Sequence, residues 1–345
     1  MKLAEIIKEK IKKEGAIPFD EYMEMALYYP EHGYYMKKNI KFGKEGDFFT
    51  AYHLGCTFGF LLSKYIKKLW EKAEYKKYFT ITEIGPGDGF LAKDILENSN
   101  FIFRYNLVEM NQYLVKLQAE KLKNYENKTY WYDSIQKVEP FCGVVICNEV
   151  FDALPVRVFE INDRKLREVY ITLNKNEEFI EELLDARQDT LAFLEEFAPW
   201  VFSFKKFRSE INLEAKKIIY SISHILKKGF LLIFDYGYTS EEFYNDLRSN
   251  GTLLCYYKHS INENPYINIG NQDITAHVNF TALKKWAEKA GFRLEEFSSQ
   301  SKFLISLCNK ETLEEIYKKD LTQHLKRLIL PKGMGQTHKV MILSK

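Results

Sequence analysis

Three glycines in five positions, Gly85, Gly87 and Gly89, follow the apolar run "FTITEI" and precede a stretch with helical period. An apolar strand that ends in an acid and runs into G-x-G-x-G before a helix leaves bare backbone at the carboxyl edge of a parallel sheet, where open α/β sheets bind nucleotides. A dinucleotide fingerprint, G-x-G-x-x-G, places a third glycine where helix and strand pack closely, and here that position is Phe90. Glu83, just inside the loop, would repel a pyrophosphate but could pair with an ammonium. S-adenosylmethionine carries an ammonium and no phosphate, so Glu83, Gly85 and Gly87 favour that cofactor over NAD. Glu109 ends the next strand, where an acid grips ribose hydroxyls. Taken alone, Glu109 suits NAD equally well. Asp133, after the third strand, could accept from an adenine amino group with Trp131 or Tyr132 against the ring, or could simply cap its turn.

A second constellation lies in "CNEVFDALPVRVF", where Asn148, Glu149 and Asp152 follow an apolar strand. In a methyl transfer the protein must chiefly align the acceptor and handle one proton. Asn148 there would sit beside the cofactor, while Glu149 and Asp152 would orient a nitrogen acceptor and draw off its proton. The alternative is structural: Asp152 caps a turn and Glu149 pairs with Arg157. "QDITAHVNF" sets Asp273 and His277 four apart, and His277 could accept a proton near neutral pH or serve as a structural hydrogen-bonding residue. No cysteine or histidine spacing suggests a metal site.

The elements that must position these residues read as α/β. Strands at "TITEI", "YNLVEM", "TYWY", "GVVICNEV" and "GFLLIFDY" alternate with helical patterns, the signature of β-α-β units and a mostly parallel sheet. Residues 1–78 read as an N-terminal helical cap with a glycine-punctuated loop. Residues 79–345 form the core, interrupted at about 156–210 by an inserted cap whose alternation and Asn-Asp turn suggest an antiparallel meander. One long helical stretch is expected from about Gln300 to Leu330. The final "HKVMILSK" would close the sheet as an antiparallel strand.

Composition narrows the class further. The 345 residues carry 50 basic and 48 acidic side chains, interleaved to a net charge of +2, which gives no basic face for nucleic acid. No apolar run approaches the ~20 residues of a membrane span. Five scattered cysteines without C-x-x-C spacing fit a reduced compartment, and with no signal segment a cytoplasmic protein is expected.

The chain resembles the MidA-like S-adenosylmethionine-dependent methyltransferases, relatives of a mitochondrial complex I assembly factor that methylates a protein arginine. The resemblance runs through "IPFDEYMEMALYYPEHGYY", "GDFFTAYHLGCTFG", "EIGPGDGFLAKDIL", "CNEVFDALPVRVFE", "DYGY", "GTLLCYYKH", "QDITAHVNFTAL" and "PKGMGQTHKVMILSK". It implies a class I, Rossmann-like methyltransferase fold, with Glu83, Gly85, Gly87 and Glu109 at the cofactor and Asn148, Glu149 and Asp152 near the transferred methyl. It also implies a protein substrate, such as a respiratory-complex subunit. "GDFFT" belongs to the pattern, so Thr50 would join the cofactor site on a lid whose Phe48 or Phe49 could face a sulfonium. Two departures stand out: Asn279 replaces an acid in "AHVNF", and Asp88 occupies a glycine-loop position where arginine or glutamate is common. A non-catalytic assembly factor that keeps the cofactor site, or a small-molecule methyltransferase, are the other functions weighed. A homodimer is compatible with the sequence.

Overall fold

Short apolar runs from Phe79 onward become the strands of one sheet, its central strands buried on both faces and its edges, such as Arg293–Ser299, partly exposed. The main strands are Phe79–Ile84 (β1), Arg104–Val108 (β2), Thr129–Tyr132 (β3), Phe141–Asn148 (β4), Leu226–Tyr238 (β5), Arg293–Ser299 (β6) and His338–Ser344 (β7), and the short Val278–Asn279 pairs in parallel with the end of β5. Helices Phe90–Asn98 (α1) and Gln112–Lys121 (α2) connect β1 to β2 and β2 to β3. The computed structural model describes residues 2–38, 56–74, 76–330 and 338–345.

The strand order is β6-β7-β5-β4-β1-β2-β3. Strands β5, β4, β1, β2 and β3 pair in parallel, while β7 runs antiparallel to both β5 and β6. The sheet is therefore mixed. From β1 the chain moves outward to β2 and β3, then returns to lay β4 on the other side of β1. The carboxyl ends of β1 and β4 thus adjoin at a topological switch point, with Ile84 opposite Cys147 as the last paired residues. Beneath them Phe58, Leu61, Ile66, Leu91, Ile95, Ile81, Leu107, Val144 and Ile146 share one core, which fixes both strand ends rigidly.

By contact the chain divides into two compact units, one of Met1–Ile40, Phe151–Lys217 and Gly237–Lys285, the other of Lys41–Val150, Ile218–Tyr236 and Trp286–Lys345. This division differs from the boundaries expected at residues 78 and 79. The N-terminal segment joins the inserted residues because Ile17 pairs with Ile171, and Asp20 is shared by Arg157 and Arg187. Within this unit Arg157–Asn162, Lys165–Leu173, Phe179–Asp185 and Lys206–Ile211 form an antiparallel sheet. The long C-terminal helix is three helices, Gln300–Leu307, Lys310–Lys318 and Thr322–Ile329. Asn309 caps the second by accepting from Thr312 N–H, and Asp320, at φ +56°, turns the chain before the third.

Candidate functional site

The loop between β1 and α1 is shaped by left-handed backbone. Gly85, Gly87 and Gly89 have φ of +64°, +55° and +79°, values that side-chain-bearing residues adopt at a cost. The Gly85 N–H still donates to the Val108 carbonyl (3.1 Å), so the loop leaves the sheet in register with β2. Gly89 serves a second purpose, since a Cβ there would lie 3.1 Å from the Gln118 Cγ on α2.

Gln118 is fully buried and ties three segments together. Its Nε2 donates to the Gly87 carbonyl (2.7 Å) and toward Glu109 Oε2 (3.4 Å), while its Oε1 accepts from Trp131 Nε1 (2.9 Å). From sequence it was one polar residue among several on a helix. Only the crossing of α2 behind the glycine loop reveals its position.

Glu109 follows β2 and is 7% exposed, with Oε1 accepting from the Asn111 N–H at 2.8 Å. Burial pushes its carboxyl up to about 7, against the pull of the Asn111 N–H and the Gln118 amide. Glu83 is as deeply buried and accepts from the Tyr105 hydroxyl (2.7 Å); burial likewise pushes it up to about 7. Asp133 is exposed and paired with Lys137 (2.6 Å), whose ammonium holds its carboxyl below the usual range.

Asn148 is the last residue of β4, and its buried Oδ1 accepts no hydrogen bond from the described residues. Glu149 follows with φ +50°, a strained value for a non-glycine residue, held by its N–H to the Phe234 carbonyl (2.8 Å). Its Oε1 stands 3.5 Å from Nε2 of the fully buried His338, whose ring centre is 3.7 Å from that of Tyr236. Sequence reasoning missed His338, which opens the final strand. Asp235 accepts from the N–H groups of Val150 (3.2 Å) and Tyr236 (2.8 Å), and so clamps the turn that carries Glu149. Arg157, the partner considered for Glu149, instead engages Asp20 and Asp189. No helix joins Glu149 to Asp152: residues 149–154 are bends and turns, and the boundary between the units falls between Val150 and Phe151.

In the other unit Asp152 is buried, and its carbonyl accepts from the Ala276 N–H (2.9 Å). Tyr35 donates to Asp273 Oδ1 (2.7 Å) and stacks on Tyr28, with ring centres 5.5 Å apart. Burial, then the charges of Asp273, Tyr28 and Asp152, holds the Tyr35 hydroxyl well above its usual range. The His277 backbone N–H donates to Thr252 Oγ1 (2.9 Å), and its ring lies 5.2 Å from that of Tyr238. Thr50 and the "GDFFT" segment lie outside the described residues. Among the described residues no group of three His, Cys, Asp or Glu side chains could hold a metal ion, and no helix is long and apolar enough to cross a membrane.

A family model for S-adenosyl-L-methionine-dependent methyltransferases matches residues 61–298. The chain belongs to that family. This methyltransferase is 29% identical over 322 residues to the Drosophila melanogaster "Protein arginine methyltransferase NDUFAF7 homolog, mitochondrial", a match covering 84% of this chain and 70% of the relative. It is 26% identical over 370 residues to the Homo sapiens protein arginine methyltransferase NDUFAF7, covering 95% and 80% of the two chains. The crystal structure of a Burkholderia thailandensis protein bound to S-adenosyl-homocysteine superposes with a TM-score of 0.89 at 29% identity, covering 99% of this chain and 92% of that one. The methyl donor is S-adenosylmethionine.

One expectation is corrected by these relatives. A cytoplasmic protein was expected, but the animal relatives are named as mitochondrial proteins. Unpaired cysteines argue only for a reducing environment, which the cytosol shares with other compartments.

The residues at the switch point fit the methyl donor. The left-handed glycine turns leave backbone bare, the Asn148 Oδ1 is buried with no hydrogen bond from the described residues, and Glu109 is held at Oε1 by the Asn111 N–H. Lys121, a cation near the loop, lies 3.3 Å from Asp88, as suits a donor without phosphate.

Proposed function

We propose that this methyltransferase acts on an arginine nitrogen of a protein, on a class I methyltransferase fold with an N-terminal and an inserted cap. The observation that carries the proposal is Glu149, an acid held in strained backbone just after β4, whose end pairs with the end of β1 where the glycine loop begins. The names of the animal relatives supply the acceptor class; the family resemblance suggests a respiratory-complex subunit.

Gly85 and Gly87 would admit the methionyl part and Glu83 would favour its ammonium through the loop. Glu109 would accept the ribose hydroxyls, with Trp131 beside the adenine and Asn148 supplying a buried acceptor. Asp133, exposed and paired with Lys137, would serve as a rim contact at most. When bound, the donor supplies a methyl group on a sulfonium, which is already a good leaving group.

The protein's own task is the acceptor. A guanidinium is planar, delocalised and charged, so its nitrogen is a weak nucleophile until a carboxylate fixes the plane and draws charge toward it. Glu149 would do this, and would take the proton that the alkylated nitrogen releases. Asp152 is proposed as a second acceptor-side acid, in the unit where Tyr35 and Asp273 hold its surroundings. For His277 the bond from its backbone N–H to Thr252 positions the segment, and the ring is proposed as a proton acceptor or a structural hydrogen-bonding group.

The test is transfer of labelled methyl from S-adenosylmethionine to a lysate of cells lacking this chain, followed by acid hydrolysis. Label in methylarginine supports the proposal. Label confined to other residues, to small molecules or to nothing contradicts it.

A further inference from the structure

We propose that Gln118 makes the donor site selective for a ribose diol by fixing how Glu109 is presented. The inference rests on the reading of Glu109 as the ribose acid. An indole N–H can only donate, so the contact from Trp131 Nε1 (2.9 Å) fixes the Gln118 oxygen on that side and turns its amide nitrogen away. That nitrogen has two hydrogens, and both are committed: one to the Gly87 carbonyl (2.7 Å), the other toward Glu109 Oε2 (3.4 Å).

The consequence lies in what Glu109 has left to offer. An ionised carboxylate has about four acceptor positions. Among the described residues Asn111 N–H donates to Oε1 and Gln118 toward Oε2, with the Met110 N–H adding to the pull on the carboxylate, so Glu109 keeps acceptor capacity for a ligand. Two acceptors on one rigid carboxylate match two neighbouring hydroxyls. Gln118 also holds the carbonyl of Gly87 and the ring of Trp131, so the same amide that orients the diol acceptor positions the loop and the adenine wall. Gln118 is thus a positioning residue for specificity.

The experiment is calorimetric titration of the wild-type chain, Gln118→Met and Gln118→Glu with S-adenosylhomocysteine and with the same compound lacking its 2′-hydroxyl. Gln118→Met keeps the length and removes every polar contact. Gln118→Glu keeps an oxygen for Trp131 but removes both donors, and it stands in should Gln118→Met fail to fold. The wild type should prefer the ribose form by about tenfold or more, the size of hydrogen bonds to a charged group. In the variants that preference should shrink to within about threefold, the loss falling on the ribose form, since the coupled contacts no longer act together. A merely structural residue would weaken both ligands by one factor and leave the preference intact, which would overturn the proposal. Equal wild-type affinity for the two ligands would also overturn it while leaving the donor site standing. A folded wild type that binds neither would overturn the donor-site reading beneath it.

Discussion

Glu168 in one unit and Glu109 in the other are both buried carboxylates, but they keep different company. Glu168 is fully buried and answered by Arg187, whose Nη2 and Nε donate to it at 2.6 and 3.0 Å and whose backbone N–H donates at 2.9 Å. Asp20 joins Arg187 (2.8 Å) and Arg157 (3.2 Å), closing a network of acids and guanidinium groups. For Glu109 and Glu83 the hydrogen-bond partners found among the described residues are neutral: an amide, a backbone N–H and a phenol. A buried charge matched by arginine has no need of a ligand, whereas one held only by neutral donors keeps much of its desolvation cost. The first kind stabilises a fold; the second is available to a cationic or hydroxyl-bearing ligand. Glu210 marks the boundary, because it too is pushed up to about 7 by burial, yet its Oε1 is occupied by both donors of Thr252.

The contrast is broken most forcefully by Arg187→Met. Glu168 then loses its main counter-charge, and unfolding free energy should drop by about 3 kcal/mol, as for other broken buried pairs. S-adenosylhomocysteine affinity in the folded fraction should not change. Denaturant melts and calorimetry read the two quantities separately, and a variant of normal stability with lost binding would exchange the roles assigned to the two acids.

Glu109→Ala is the converse substitution. Affinity for S-adenosylhomocysteine should weaken by roughly 1.5 to 3 kcal/mol, the usual value of hydrogen bonds to a charged group. Stability should change little or improve, since a costly buried carboxyl is removed. Unaltered affinity would place the ribose elsewhere.

A smaller effect comes from pH. Glu83 and Glu109 are raised from 4.5 to about 7, so folding binds their protons more tightly. Their contribution to stability is full below 4.5 and is lost as pH rises through about 7. Ligand binding runs the other way, because the ionised carboxylate is the better acceptor. On acidification from above 7 toward 4.5, the wild type should gain melting temperature relative to Glu109→Gln while its ligand affinity falls. Parallel trends in both quantities would mean that Glu109 does not meet the ligand.

The placement of the proposed donor-side residues at strand ends was legible in the sequence. Glycine spacing and the acid after the second strand are local features, and both stand at the carboxyl ends of neighbouring strands. Residues whose roles depend on chain crossings were not. Gln118 matters because α2 passes behind the loop, and His338 because a distant strand runs antiparallel beside β5. Glu83 was read as able to pair with an ammonium, and the Tyr105 hydroxyl that donates to it from the neighbouring strand was not legible. The C-terminal helical period ran on past Asn309 and Asp320, where capping and a left-handed turn break the helix. The joining of residue 17 to residue 171 left no local signal in either segment.

Glu149→Gln gives the most direct test of arginine methylation at the end of β4. The amide keeps the shape of the side chain and removes its charge, so S-adenosylhomocysteine affinity and melting temperature should stay near wild type. Single-turnover transfer of labelled methyl to protein arginine should fall by about a hundredfold, as expected when an interaction made in the transition state is lost. A destabilised Glu149→Gln protein that transfers methyl to arginine at the wild-type rate would contradict the assignment.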